Sequence, residues 1–133
     1  MPRLVLVSAG VLVNDAGCVL IAERPPGKSM AGLWEFPGGK VEPEESPEAA
    51  LARELKEELD IAVSAERLEP FAFASHAYDA FHLLMPVFVC RAWSGDIRPR
   101  EGQKVAWARP EDLAGYPMPP ADAPLLGELK TRL

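Results

Sequence analysis

Seven glutamates fall between Glu42 and Glu58. Three of them, Glu54, Glu57 and Glu58, stand at i, i+3 and i+4, so a helix would gather all three carboxylates on one face. Like charges at that spacing destabilise a helix by ~0.2–0.5 kcal/mol per pair, and folding alone gives no reason to cluster them. A divalent cation reverses the sign of the interaction. Hard oxygen donors in this number suit Mg²⁺, or Mn²⁺, and not zinc. The competing reading is a solvated helix face with Arg53 and Lys56 as counter-charges. The flanking residues favour a site. Gly38-Gly39 lets the backbone come close to a ligand. Arg53 can orient a carboxylate through a bidentate pair, and a loop carboxylate such as Glu45 would lock the loop to the helix on reaching it.

Composition narrows the alternatives. The chain has 133 residues, of which 48% are apolar and 26% charged, the balance of an ordinary single globular domain spanning 1–133. Fourteen Lys and Arg oppose 20 Asp and Glu, for a formal net charge of −6, which gives no general attraction to a nucleic-acid polymer. Two cysteines, Cys18 and Cys90, exclude a disulfide scaffold and a four-cysteine zinc site. Both lie in strand-like apolar runs and read as buried free thiols. Two histidines, His76 and His82, argue against a histidine-based zinc enzyme. Arg3 before the apolar run Leu4 to Val13 could mimic a leader, but the turn and second apolar run that follow read better as a hairpin. No run reaches the ~18 apolar residues of a membrane span, and a cytoplasmic location is expected.

The acidic cluster must be held by a few elements. Leu4 to Val13 and Cys18 to Glu23 read as paired strands across Asn14-Asp15-Ala16-Gly17. Arg24 to Gly32 is a loop, Leu33 to Phe36 a short apolar segment, and Pro37-Gly38-Gly39 disfavours continued pairing. Lys40 to Glu45 reads as an acidic loop. Ser46-Pro47 starts a helix, with a capping hydroxyl and proline at the first helical position. Leu51, Leu55 and Leu59 form its buried stripe, and Asp60 ends it. Further strands are expected over Leu68 to Ser75, Ala80 to Ala92 and Val105 to Ala108, and a last helix near Leu125 to Arg132. The pattern is α+β.

Gly39, five residues, Glu45, seven residues, then Arg53-Glu54-Leu55-Lys56-Glu57-Glu58-Leu59-Asp60-Ile61 resembles the Nudix box, G-x5-E-x7-R-E-U-x-E-E-x-G-U with U aliphatic. Eight of its nine defined positions match at the correct spacing. The departure is Asp60, where the family has glycine just past the helix end. A left-handed conformation is common there, and Asp tolerates it better than most residues. The segment Leu33 to Lys40 is similar to the approach to the box in MutT-type members. Arg98 to Gln103 is similar to their late loop with another metal-site glutamate, and Pro119 to Leu126 to their base-recognition segment.

The resemblance implies an α/β/α sandwich around a mixed, mainly antiparallel sheet, and a hydrolase that splits a nucleoside triphosphate into monophosphate and pyrophosphate. It implies that Gly38, Glu54, Glu57, Glu58 and Glu101 hold Mg²⁺, that Glu54 or Glu101 is the general base, and that Arg53 belongs to the catalytic set. Arg24, Phe36, Gly39, Lys40 and Asp122 would meet substrate, with Tyr78, Phe81 and Met85 as pocket-wall candidates. Asp122 stands where MutT-type members have asparagine. An ionised carboxylate only accepts hydrogen bonds, so it suits the N–H groups of a purine such as 8-oxo-guanine or the amino group of cytosine. It could also cap the last helix.

The leading expectation is a MutT-like enzyme that sanitises oxidised or modified nucleotides such as 8-oxo-dGTP, a task tied to DNA replication and repair. A CTP/dCTP-type pyrophosphohydrolase is the alternative, followed by an enzyme for ADP-ribose or a dinucleotide. A non-catalytic nucleotide-binding domain is a further reading, against which stand the retained glutamates. The expected partner is a nucleoside triphosphate, with no nucleic-acid polymer and no membrane. The expected assembly is a monomer or homodimer.

Overall fold

The computed structural model describes residues 3–133. Seven strands form two sheets: β1 (Arg3–Leu12), β2 (Val19–Glu23), β3 (Trp34–Glu35), β4 (Gly38–Lys40), β5 (Glu69–Ala77), β6 (Phe81–Cys90) and β7 (Lys104–Ala108). One sheet has the order β4-β1-β6-β5 and the other β3-β2-β7. Only the β1–β6 pair is parallel among these neighbours. Helix α1 (Pro47–Leu59) and helix α2 (Leu126–Arg132) complete the frame.

Both faces are buried along much of the central strands β1, β2 and β6, because adjacent residues of one strand enter different cores. Leu12, Leu20, Phe88 and Cys90 pack with Leu51, Leu55 and Leu59 of α1. Their neighbours Val11, Val19, Ile21, Val87 and Val89 pack with Leu113, Leu125 and Leu129 on the α2 side. The uninterrupted apolar runs are thus explained by helix-covered sheets, an α/β/α arrangement.

The turn at Asn14–Gly17 forms as expected. The Asn14 side chain accepts from the N–H groups of Ala16 and Cys18, and Gly17 takes φ +80°. The strands on either side, however, do not make a hairpin. They share only the Val13–Val19 bridge among the described residues, then diverge into separate sheets. The reason is edge occupancy: β1 is flanked by β4 and β6, and β2 by β3 and β7. A second correction concerns Gly38–Lys40. These residues form β4, paired with Val7–Ala9. A Cβ at Gly38 would collide with the Ser8 carbonyl, so glycine here permits pairing where the sequence suggested a break.

Helix α1 begins and ends where expected. Ser46 accepts from the Ala49 N–H at 3.0 Å, with Pro47 at the first position. Asp60 closes the helix in the left-handed conformation, φ 59° and ψ 35°. Its carboxylate accepts from Lys56 at 3.3 Å and Arg100 at 3.4 Å, so the residue that replaces the box glycine keeps the backbone path and adds two weak ties. Cys90 is buried, as expected, but Cys18 is only partly so.

Candidate active site

The loop–helix lock is present. Arg53 donates from Nε to Glu45 Oε2 at 2.8 Å and from Nη2 to Glu45 Oε1 at 3.0 Å. The same guanidinium reaches Glu54 at 3.1 Å, Glu57 at 3.3 Å and the Lys40 carbonyl at 3.0 Å. The two bonds from Arg53, then one from the Glu42 N–H, hold the Glu45 carboxyl well down, at about 2. Arg53 therefore ties β4, the acidic loop and α1 together.

Beyond it lies an acidic pocket of ≈ 190 Å³, lined among others by Gly38, Glu54, Glu58 and Glu101, with Glu35 and Gln103. Glu54 reaches it because Gly39 has no side chain: a Cβ there would fall on the Glu54 carboxylate. Burial raises the Glu54 carboxyl, against the pull of Arg53. Glu58 is raised further, to about 8, by burial and then by Glu54, Glu101 and Glu35. Its Oε2 is buried without a hydrogen-bond partner among the described residues. A buried, unsatisfied carboxylate oxygen among like charges is what a divalent cation would satisfy. No three acidic, histidine or cysteine side chains form a ready-made cage among the described residues. Mg²⁺ keeps several waters and takes only one or two carboxylates directly, so an open acidic pocket fits it. Glu57 and Arg53 do not line this pocket. Glu57 is exposed and paired with Arg53.

A second pocket of ≈ 360 Å³ adjoins the first and shares Arg24, Glu35 and Gly38 with it. Phe36, Gly39, Lys40 and Asp122 all line it, as do Tyr78, Phe81 and Met85. Phe36 and Met85 also belong to the core, so wall and core are the same residues here. Tyr78 stacks on Phe81 with ring centres 5.1 Å apart and planes 29° apart, which makes this part of the wall aromatic. Arg24 pairs with Glu35 at 3.3 Å, while its Nε is buried with no partner among the described residues.

Asp122 is the polar end of this pocket. It is 5% exposed. Burial, then the nearby Glu35 charge, raises its carboxyl to about 7, against a backbone hydrogen bond from Phe36 and the charge of Arg24. It makes no side-chain cap to the 3-10 turn Ala123–Leu125 that follows it, so the helix-cap reading is corrected: a carboxylate turned into the pocket cannot also reach the helix amides. Glu35 and Gln103 escaped the sequence reading. Glu35 lay in the open, inside the quoted segment Leu33 to Lys40, as the one acid there. Nothing in the sequence marked Gln103 beyond its place two residues after Glu101.

Residues 8–128 match the NUDIX domain family. The chain is 39% identical to the CTP pyrophosphohydrolase of Escherichia coli, over 93% of this chain and 90% of that one. It is 37% identical to the 8-oxo-dGTP diphosphatase of Haemophilus influenzae, over 96% of this chain and 92% of that one. Among solved structures, one from a study of MutT from Aliivibrio salmonicida and Vibrio cholerae superposes with a TM-score of 0.83 at 34% identity, covering 98% of this chain and all, 100%, of that one.

Proposed function

The chain belongs to the NUDIX domain family, and on that footing we propose that it is a divalent-cation-dependent nucleoside triphosphate pyrophosphohydrolase, releasing nucleoside monophosphate and pyrophosphate. One observation carries this reading: an aromatic-walled pocket ending in Asp122 lies next to the acidic pocket, with Arg24, Glu35 and Gly38 lining both. A base and sugar fit the first, and a phosphate chain with its cations fits the second.

Glu54, Glu58 and Glu101 would hold Mg²⁺, or Mn²⁺, with the Gly38 carbonyl as a further donor; Glu57, exposed and paired with Arg53, would join them only by turning away from that pair. Bound there, the cation would withdraw charge from phosphoryl oxygens and make water more acidic. Glu54 takes the proton of the attacking water as the water oxygen bonds to phosphorus and the phosphoric anhydride bond breaks. Glu101 is the other candidate base. Arg53 keeps the Glu54 carboxylate in place through the 3.1 Å bond. Arg24, with its free Nε, and Lys40 supply positive charge at the substrate. Tyr78 and Phe81 offer a face for the base.

Asp122 selects the base. The leading substrate class is an oxidised or modified nucleotide such as 8-oxo-dGTP, whose ring N–H groups can donate hydrogen bonds to the carboxyl oxygens. The second reading is a cytosine nucleotide, favoured by the same carboxylate accepting from the 4-amino group and supported by the similarity to a protein named CTP pyrophosphohydrolase. Product-resolved hydrolysis of 8-oxo-dGTP, the common NTPs and dNTPs, a 5-substituted dCTP and ADP-ribose tests this. One triphosphate should be turned over at least tenfold faster than the rest, and Asp122→Asn should redistribute that preference. Turnover of ADP-ribose alone would overturn the proposal, and so would binding without turnover of any nucleotide.

A further inference from the structure

We propose that Gln103 is a positioning residue that fixes Glu101 against the glutamates of α1. This rests on the cation-binding reading of those glutamates. Gln103 is only 9% exposed, and its amide spans two backbones. Its Oε1 accepts from the Glu101 N–H at 2.8 Å, and its Nε2 donates to the Glu58 carbonyl at 3.3 Å. One partner is a donor and the other an acceptor, so an amide side chain meets both where a carboxylate meets only the first. A glutamate here would also add charge to a pocket already holding Glu54, Glu58 and Glu101.

The geometry around the amide shows what it acts on. The last carbonyls of a helix have no intrahelical partner. Here the loop carrying Glu101 supplies two of them: the Arg98 N–H donates to Leu59 O at 2.8 Å and the Arg100 N–H to Glu58 O at 2.9 Å. These bonds stop one residue short of Glu101. At Glu101 itself, the backbone is tied through Gln103, beside Gly102 in the left-handed region (φ +75°). The side chain of Gln103 thus links the backbones of two acidic-pocket residues 43 positions apart in the sequence, Glu58 and Glu101.

The test uses the full chain with Gln103→Met, which keeps side-chain length without the amide, and Gln103→Leu beside it. Without metal, NMR hydrogen exchange of the Glu101 amide should speed up at least tenfold in both. Mn²⁺ affinity, read by electron paramagnetic resonance, should fall ~10-fold, the loss typical when a residue that orients metal ligands is removed. In a Glu101→Gln background the same substitution should cost no further affinity, because its effect runs through Glu101. An unchanged Glu101 amide, an unchanged Mn²⁺ affinity or an equal loss in both backgrounds would overturn the proposal. Absence of Mn²⁺ binding in the unaltered protein would overturn the cation reading itself, and the proposal with it.

Discussion

Asp122 concentrates the chemistry that a single residue can supply. In the folded chain it keeps a proton up to about pH 7, against an ordinary value of 3.8. Below about pH 4 both the folded and unfolded chains hold that proton, and it has no effect on stability. As pH rises toward 7 the unfolded chain releases it and the folded chain does not, so stability falls across that window. Asp122→Asn removes this loss. Urea unfolding of the metal-free protein should show the variant gaining on the unaltered chain from pH 4 to 7, by on the order of 3 kcal/mol at the upper end. A constant difference across that range would mean that Asp122 is ionised in the pocket. The sequence exposed the residue but not its state, because the pocket it lines is built from segments distant along the chain.

At the scale of elements, β4 and α1 meet across two adjacent glycines with different duties. A Cβ at Gly38 would strike the backbone of Ser8 and Ala9, whereas at Gly39 it would strike the end of the Glu54 side chain. Backbone cannot yield cheaply, but a flexible carboxylate can. Gly38→Ala should therefore lower the melting temperature by several degrees, corresponding to ~1–3 kcal/mol. Gly39→Ala should leave melting nearly unchanged and lower kcat ~10²-fold, by displacing the proton acceptor. Thermal melts and steady-state rates on the two variants separate the roles. The helix itself was legible to the residue, because its cap, first-turn proline and leucine stripe are all local signals. Strand β4 was not, since its pairing depends on what lies across from it. The hairpin expectation failed for the same reason: the Asn14–Gly17 turn is local, but the partners of β1 and β2 are chosen by the rest of the sheet.

The whole molecule brings together chain segments far apart in sequence. Glu54 and Glu58 come from α1, Glu101 from the loop before β7, Arg24 from the end of β2, and Asp122 from the approach to α2. Spacing in the sequence revealed the α1 cluster, and the resemblance supplied the other three. The junction of the two pockets became visible only in the fold. Among the described residues no helix is long and apolar enough to cross a membrane. Under the proposed function, this junction cuts a nucleoside triphosphate between its α- and β-phosphates with a divalent cation in place. Phosphorus NMR of the products from the preferred triphosphate tests it most directly, with Mg²⁺, with chelator, and with Glu54→Gln. Monophosphate and pyrophosphate in equal amounts, lost with chelator and slowed ~10²–10⁴-fold by Glu54→Gln, is the predicted result. Diphosphate and inorganic phosphate as products, or cleavage that persists in chelator, would contradict it.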